Sequence, residues 1–178
     1  MVTLETPRLQ LRPWRADDLD DYLQIFSKAP AMAFQMNRGL TGEEAHGFLQ
    51  FHIDTWEGHP FGHWAVLTKA HGRPIGWVGL ESTSSFTGAP DGLQIGWRLD
   101  PDHWGHGYAT ESALAVLRYA FEELGLTKVY VLFHPDNHRS ARVAAKLGAL
   151  PLPPLRAPDQ SEVRRVHVVH RETFANRR

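Results

Sequence analysis

LDPDHWGHGYATE, residues 99–111, places two closely spaced glycines directly ahead of a helical pattern. Gly105 and Gly107 lack Cβ atoms, so the backbone can turn tightly there and lie close against a ligand. Ala113, Leu114, Val116, Leu117, Ala120, Phe121 and Leu124 then recur at helical spacing, which predicts an amphipathic helix whose first turn is at Tyr108 or Ala109. A helix start carries unpaired amides and a partial positive charge, and together these bind anions such as a diphosphate. A glycine pair before a helix is also an ordinary turn, so the flanks decide. No Gly-Lys-Ser/Thr follows, which argues against a nucleotide triphosphatase, and the third glycine of the dinucleotide fingerprint is absent.

Working outward, residues 93–99 read as a strand running into the loop, and residues 128–133 alternate as a second strand closed by Pro135. A right-handed crossover through the long helix sets these two strands side by side and parallel, with the glycine loop at their carboxyl ends, where open sheets hold ligands. Asp136 or Asn137 caps a further helix that buries Ala141, Ala144, Ala145 and Leu147 and ends at Gly148. Upstream, residues 64–68 and 74–80 read as an antiparallel hairpin. Thr41 and Glu44 have the spacing of a capping box, opening a helix with Ala45, Phe48, Leu49, His52 and Trp56 on one face. Asp17 is expected to cap an earlier helix carrying Leu19, Tyr22, Leu23 and Phe26, after a short strand at Leu9 and Leu11 stopped by Pro13. Residues 151–158 are too rich in proline for a central strand, while residues 163–169 have the β-branched composition of a final one.

At 178 residues, 42% hydrophobic and 22% charged, the chain is expected to form one domain, residues 1–178, with a sizeable core. A formal net charge of −1 with the charges interspersed leaves no basic footprint for nucleic acid. There is no cysteine, hence no thiol nucleophile and no thiolate metal site. Apolar runs too short to span a bilayer and the lack of a signal-peptide pattern make the cytoplasm the expected location, with no membrane contact. The eleven histidines form no HExxH, and His106 lies inside the glycine loop where a metal would compete with phosphate, so no metal is expected.

The run WGHGYATE (104–111), after LQIGWRL (93–99) and before Asn137 and Ser140, resembles the GCN5-related N-acetyltransferase (GNAT) superfamily. Within it the likeness is to the ribosomal-protein N-terminal acetyltransferases, which ETPRLQLRPW (5–14) and FGHWAVLTKAHGRPIGWVGL (61–80) also resemble. The resemblance implies a mixed α/β (α+β) acyl-CoA N-acyltransferase fold: a central mixed sheet, flanking helices and a splayed strand pair at the cofactor, acetyl-coenzyme A. It places Leu99 at the strand end that contacts pantetheine, and Trp104, Gly107 and Ala109 at the first, fourth and sixth positions of the Arg/Gln-x-x-Gly-x-Gly/Ala pattern. The amides of Gly105, His106, Gly107, Tyr108, Ala109 and Thr110 would hold the diphosphate. Asn137 corresponds to the residue contacting pantetheine or the thioester, and Ser140 to a hydroxyl near the sulfur. Ser140 is the candidate proton donor to the thiolate, and a second helix cap is its plain alternative. Such proteins often form homodimers through their C-terminal strands, the part of this chain that matches least.

The general base is harder to place. Many relatives carry a carboxylate where Gln94 stands, and an amide cannot accept the proton. The tyrosine found in many relatives at the position of Ala144 is also missing. Glu81 is the best remaining carboxylate and His134 the second choice, each with an ordinary surface role as its alternative. Glu111 is expected to serve the first helical turn. Trp64, Gln94 and Trp97 are the candidate acceptor-binding residues. An α-amine with pKa near 8 is about a tenth neutral at pH 7, whereas a lysine amine needs roughly 4 to 5 kcal/mol to shed its proton. A weak base therefore suits the N-terminal α-amine of a protein or peptide. The alternatives are a small-molecule amine (antibiotic, polyamine or amino acid) and a non-catalytic coenzyme A-binding sensor.

Overall fold

Strands buried along their whole length, such as residues 63–68, strands that alternate, such as residues 9–12, and helices make up this computed structural model, which describes residues 2–86, 88–156 and 163–176. In chain order the elements are β1 (Leu4–Glu5), β2 (Leu9–Pro13), α1 (Leu19–Phe26), α2 (Ala29–Met32), α3 (Gly42–Gly58), β3 (His63–Thr68) and β4 (Pro74–Ser82). Then follow β5 (Leu93–Leu99), α4 (Tyr108–Glu122), β6 (Lys128–Phe133), α5 (His138–Leu147), β7 (Leu150–Arg156), β8 (Val163–His170) and α6 (Arg171–Ala175). The eight strands form one mixed sheet in the order β1-β2-β3-β4-β5-β6-β8-β7. The β5–β6 pair is parallel, as the crossover through α4 requires, and its register is confined to Gln94 opposite Tyr130. That short register suits the expected splay.

The chain gathers into two compact units, Met1–Gly79 with Trp97–Ala115 and Leu80–Gly96 with Val116–Arg178, so that β4, β5 and α4 contribute to both. In the first unit Tyr22, Ile25 and Phe26 of α1 pack with Ala45 and Leu49 of α3 and with Ala65, Leu67 and Trp77 of the sheet. The capping box of α3 forms as expected: Glu44 N–H donates to Thr41 Oγ1 at 3.3 Å and Thr41 N–H donates to the Glu44 carboxylate at 2.8 Å. The start of α1 differs from expectation. Asp17 is exposed and caps nothing; a 3₁₀ turn at Ala16–Asp18 precedes the helix. The buried carboxylate there is Asp18, which accepts two bonds from Arg12, each 2.7 Å, and one from Arg15 N–H at 2.8 Å. A bidentate guanidinium from β2 outcompetes a simple helix cap.

The β3–β4 hairpin pairs Ala65 with Trp77 and Leu67 with Pro74, so β4 carries one extra residue in a bulge. Gly76, at φ +138°, occupies that bulge, and a Cβ there would lie 2.2 Å from the Arg98 carbonyl oxygen. The bulge brings β4 against the end of β5 at the entrance to the glycine loop, where Asp100 N–H donates to the Ile75 carbonyl at 2.8 Å.

In the second unit Tyr130, Val166 and Val168 form a small core on β6 and β8, paired antiparallel from Lys128–His170 to Phe133–Arg165. The proline-rich segment is an edge strand, β7, whose register slips between Leu152 and Leu155 around Pro153 and Pro154. An edge position tolerates residues without an amide hydrogen. Positions 157 and 158 of that segment lie outside the described residues.

Candidate active site

The glycine loop has the geometry its composition requires. Gly105 and Gly107 sit at φ +83° and +82°, in the left-handed region that side chains disfavour, and a Cβ on Gly105 would meet nothing within 4 Å. The loop is braced from both ends. Asp100 caps the 3₁₀ turn Pro101–His103 by accepting from Asp102 N–H at 3.1 Å, and the Trp104 indole donates to the Leu99 carbonyl at 2.9 Å. Lys28 joins Asp100, at 2.7 and 2.9 Å, to Asp102, at 2.6 Å, and these bonds hold its ammonium pKa above the usual value. Helix α4 opens at Tyr108, and Glu111 N–H makes the first bond back, to the Gly107 carbonyl. Among the described residues, the amides from Gly105 to Thr110 donate to no backbone carbonyl. Unpaired amides at a helix start beside open space above a glycine can hold an anionic diphosphate.

One anchor of this loop escapes sequence reasoning. Arg8 Nη1 donates to the His106 carbonyl at 3.0 Å, and the guanidinium lies 4.8 Å from the Tyr108 ring centroid. Its Nε and Nη2 reach Glu111 Oε2 at 2.7 and 2.6 Å, while Glu111 Oε1 accepts from Thr6 Oγ1 at 2.6 Å and Arg8 N–H at 3.0 Å. Burial pushes the Glu111 carboxyl up, but the bonds from Thr6 and Arg8 outweigh it and leave the pKa lowered. Glu111 is in the first helical turn as expected, with this second role added. The traces of the anchor in the chain are that Thr6 and Arg8 stand in the opening ETPRLQLRPW run and Glu111 at the end of WGHGYATE.

In the second unit, two candidates meet. Gln94, 3% exposed, donates from Nε2 to Glu81 Oε1 at 2.6 Å. The Gln94 amide thus holds a carboxylate one strand away. Asn137 caps α5, its Oδ1 accepting from Ser140 N–H at 3.0 Å, so the cap engages the Ser140 amide and not its hydroxyl. His134, half-buried at the end of β6, accepts at Nδ1 from Asp136 N–H at 3.2 Å.

Trp64 requires correction as an acceptor-binding residue. It is 0% exposed, its indole donates to the Val2 carbonyl at 2.8 Å and it packs edge-on against Trp56 at 4.6 Å, which makes it a core residue. Trp97 on β5 is half-buried. Among the described residues no group of three or more His, Asp or Glu is placed to hold a metal ion, and no helix is long and apolar enough to cross a membrane.

A family model for the acetyltransferase (GNAT) domain matches residues 8–150. The FsC-acetyl coenzyme A-N(2)-transacetylase of Aspergillus fumigatus is 34% identical over 156 residues, 82% of this chain and 64% of that protein, so the chain spans under two thirds of that relative. An acetyltransferase structure from Agrobacterium tumefaciens superposes with a TM-score of 0.80 at 28% identity, covering 96% of this chain and 95% of that one. The ribosomal-protein-S5-alanine acetyltransferase of Vibrio fischeri shares the fold, with a TM-score of 0.76 at 18% identity over 98% of this chain and 99% of that one.

Proposed function

The chain belongs to the GNAT acetyltransferase family, and from that premise we propose that it moves an acetyl group from acetyl-coenzyme A to a primary amine, with the N-terminal α-amine of a protein or peptide as acceptor. The observation that carries the donor half is the run of unpaired amides from Gly105 to Thr110, opened by two left-handed glycines. Those amides would hold the diphosphate, with Leu99 at the strand end beside the pantetheine arm. When bound, acetyl-coenzyme A supplies an activated acyl group and a thiolate leaving group.

What remains for the protein is to orient the amine and to manage two protons. Glu81 takes the proton that the amine sheds. The bond from Gln94 Nε2 fixes the direction of the Glu81 carboxylate, and a carboxylate can take up a proton while it accepts such a bond. His134 ranks second because its Nδ1 lone pair is engaged by Asp136 N–H. The Ser140 hydroxyl, which the helix cap does not use, would donate a proton toward the sulfur, and the Asn137 Nδ2 hydrogens, since the cap uses only Oδ1, would serve the pantetheine arm.

A second reading, transfer to a small-molecule amine, is supported by the 34% identical relative, whose name sets the acetyl group on a nitrogen numbered N(2). Thiol release measured over peptides with free N-termini, small amines and Nα-blocked lysine peptides tests both. Turnover on free peptide N-termini is the expected result, turnover on small amines alone selects the second reading, and acetylation confined to lysine side chains overturns both. Tight coenzyme A binding with no turnover on any amine would leave a binding module. Glu81→Gln should lower kcat by about 10²- to 10⁴-fold, the usual contribution of general-base catalysis, without changing the KM for acetyl-coenzyme A.

A further inference from the structure

The direction of each amide in the glycine loop depends on what holds the carbonyl of the same peptide. A trans peptide is planar, so its N–H points opposite its C=O, and the described residues include no cis bond. The His106 carbonyl is held by Arg8 Nη1 at 3.0 Å, which aims the Gly107 N–H away from Arg8. Gly107 itself does not enforce this, because glycine tolerates φ of either sign. The guanidinium is in turn immobilised: its other two nitrogens lie on Glu111 Oε2, and Thr6 and the Arg8 backbone lock Glu111 Oε1. Arg8 Nη2 would stand 3.5 Å from a Cβ at position 107, so the clamp lies against the peptide it orients.

We propose that Arg8, locked by Glu111 and Thr6, is a positioning residue that fixes the His106–Gly107 peptide and so presents the Gly107 amide to the coenzyme A diphosphate. The proposal rests on the reading of this loop as the coenzyme A cradle. Glu111 neutralises the guanidinium, so Arg8 acts through the peptide and not as an open cation. Its influence therefore falls on the diphosphate alone and spares the pantetheine arm.

Equilibrium binding of coenzyme A and of pantetheine, which has no diphosphate, tests this on the folded protein without any turnover. Arg8→Met should weaken coenzyme A roughly tenfold, the scale of one charge-assisted hydrogen bond, and pantetheine by less than about twofold. Arg8→Lys keeps a cation beside Glu111 but lacks the fork that reaches the His106 carbonyl at the same time, and should weaken coenzyme A several-fold. Should Arg8→Met fail to fold, Arg8→Lys carries the test. Unchanged coenzyme A affinity in the folded variants, or an equal loss for pantetheine, overturns the proposal while leaving the cradle in place. Wild-type protein that binds no coenzyme A overturns the cradle reading, and the proposal with it.

Discussion

Gln94 acts through geometry and not through proton transfer. Its amide cannot take a proton, but it is nearly fully buried and donates to Glu81 at 2.6 Å, so the side chain acts on the direction of a carboxylate. With Glu81 as the proposed base, Gln94→Leu should lower kcat by about tenfold by misplacing that carboxylate, leaving the KM for acetyl-coenzyme A unchanged. Combined with Glu81→Gln it should add nothing, because both changes act through one group. Steady-state kinetics on the two single variants and the double variant decide this, and additive losses would separate the two residues. At this scale legibility followed sequence distance. A cap at Asp136 or Asn137 and a tight turn at the two glycines were readable because a cap or a turn involves neighbours a few positions apart; the structure gives the cap to Asn137 and left-handed φ to both glycines. The Arg8–Glu111 clamp spans 103 positions, and no local pattern announces it. Trp64 was misread because an aromatic residue suits a core and a groove equally, and only burial separates them.

Among elements, those with enough residues to show a period were readable and the shortest were not. The strand β5 runs over Leu93–Leu99 as expected, and α4 begins at Tyr108. Strand β1, with two residues, and helix α2, with four, are too short for any periodicity to appear. The bulge in β4 was also hidden, because a bulge is a register relation between strands and a lone glycine in a strand only hints at it. Its consequence is testable. In Gly76→Ala the new Cβ would meet the Arg98 carbonyl oxygen at 2.2 Å and the Leu99 Cα at 2.6 Å, both backbone atoms that cannot swing aside, at a φ that L residues rarely adopt. Strain of this kind costs on the order of 3 kcal/mol or more, so urea unfolding should show a large loss of stability or no folded protein. An unfolding free energy within about 0.5 kcal/mol of wild type would mean that the bulge relaxes freely.

Over the whole chain, a net charge of −1 hides a directional dependence on pH that comes from burial. His52 and His63 lie 4% and 2% exposed in the first unit, their ring centroids 4.4 Å apart, with the His52 Nε2 on the Tyr22 hydroxyl at 3.0 Å. The place of His52 on the apolar face of α3 was readable from its spacing, whereas its neighbour arrives from β3 and was not. Burial drives both pKa values down: His63 to about 3, aided by Arg98, and His52 well below its ordinary 6.5, aided by His63 and Arg98. The unfolded chain protonates both near 6.5, so the unfolded state binds more protons in the window below that value, and stability must fall as pH falls through it. Each histidine contributes a slope of about 1.4 kcal/mol per pH unit once the unfolded form is fully charged, hence roughly 2.7 for the pair. His167, also lowered by burial, acts in the same direction. The carboxyls held low, Glu5 by Gln10 and Lys69, Glu44 by Arg38, Asp102 by Lys28 and Glu111 by its bonds from Thr6 and Arg8, lose their contribution only as pH drops below their ordinary values, none above 4.5. The fall between pH 6.5 and about 5 is therefore not the work of these carboxyls. Urea unfolding at half-unit steps from pH 7.5 to 5 should show a plateau above 7 and a steepening fall below 6.5, and a flat profile across that range would show that the pair is protonated in the folded state.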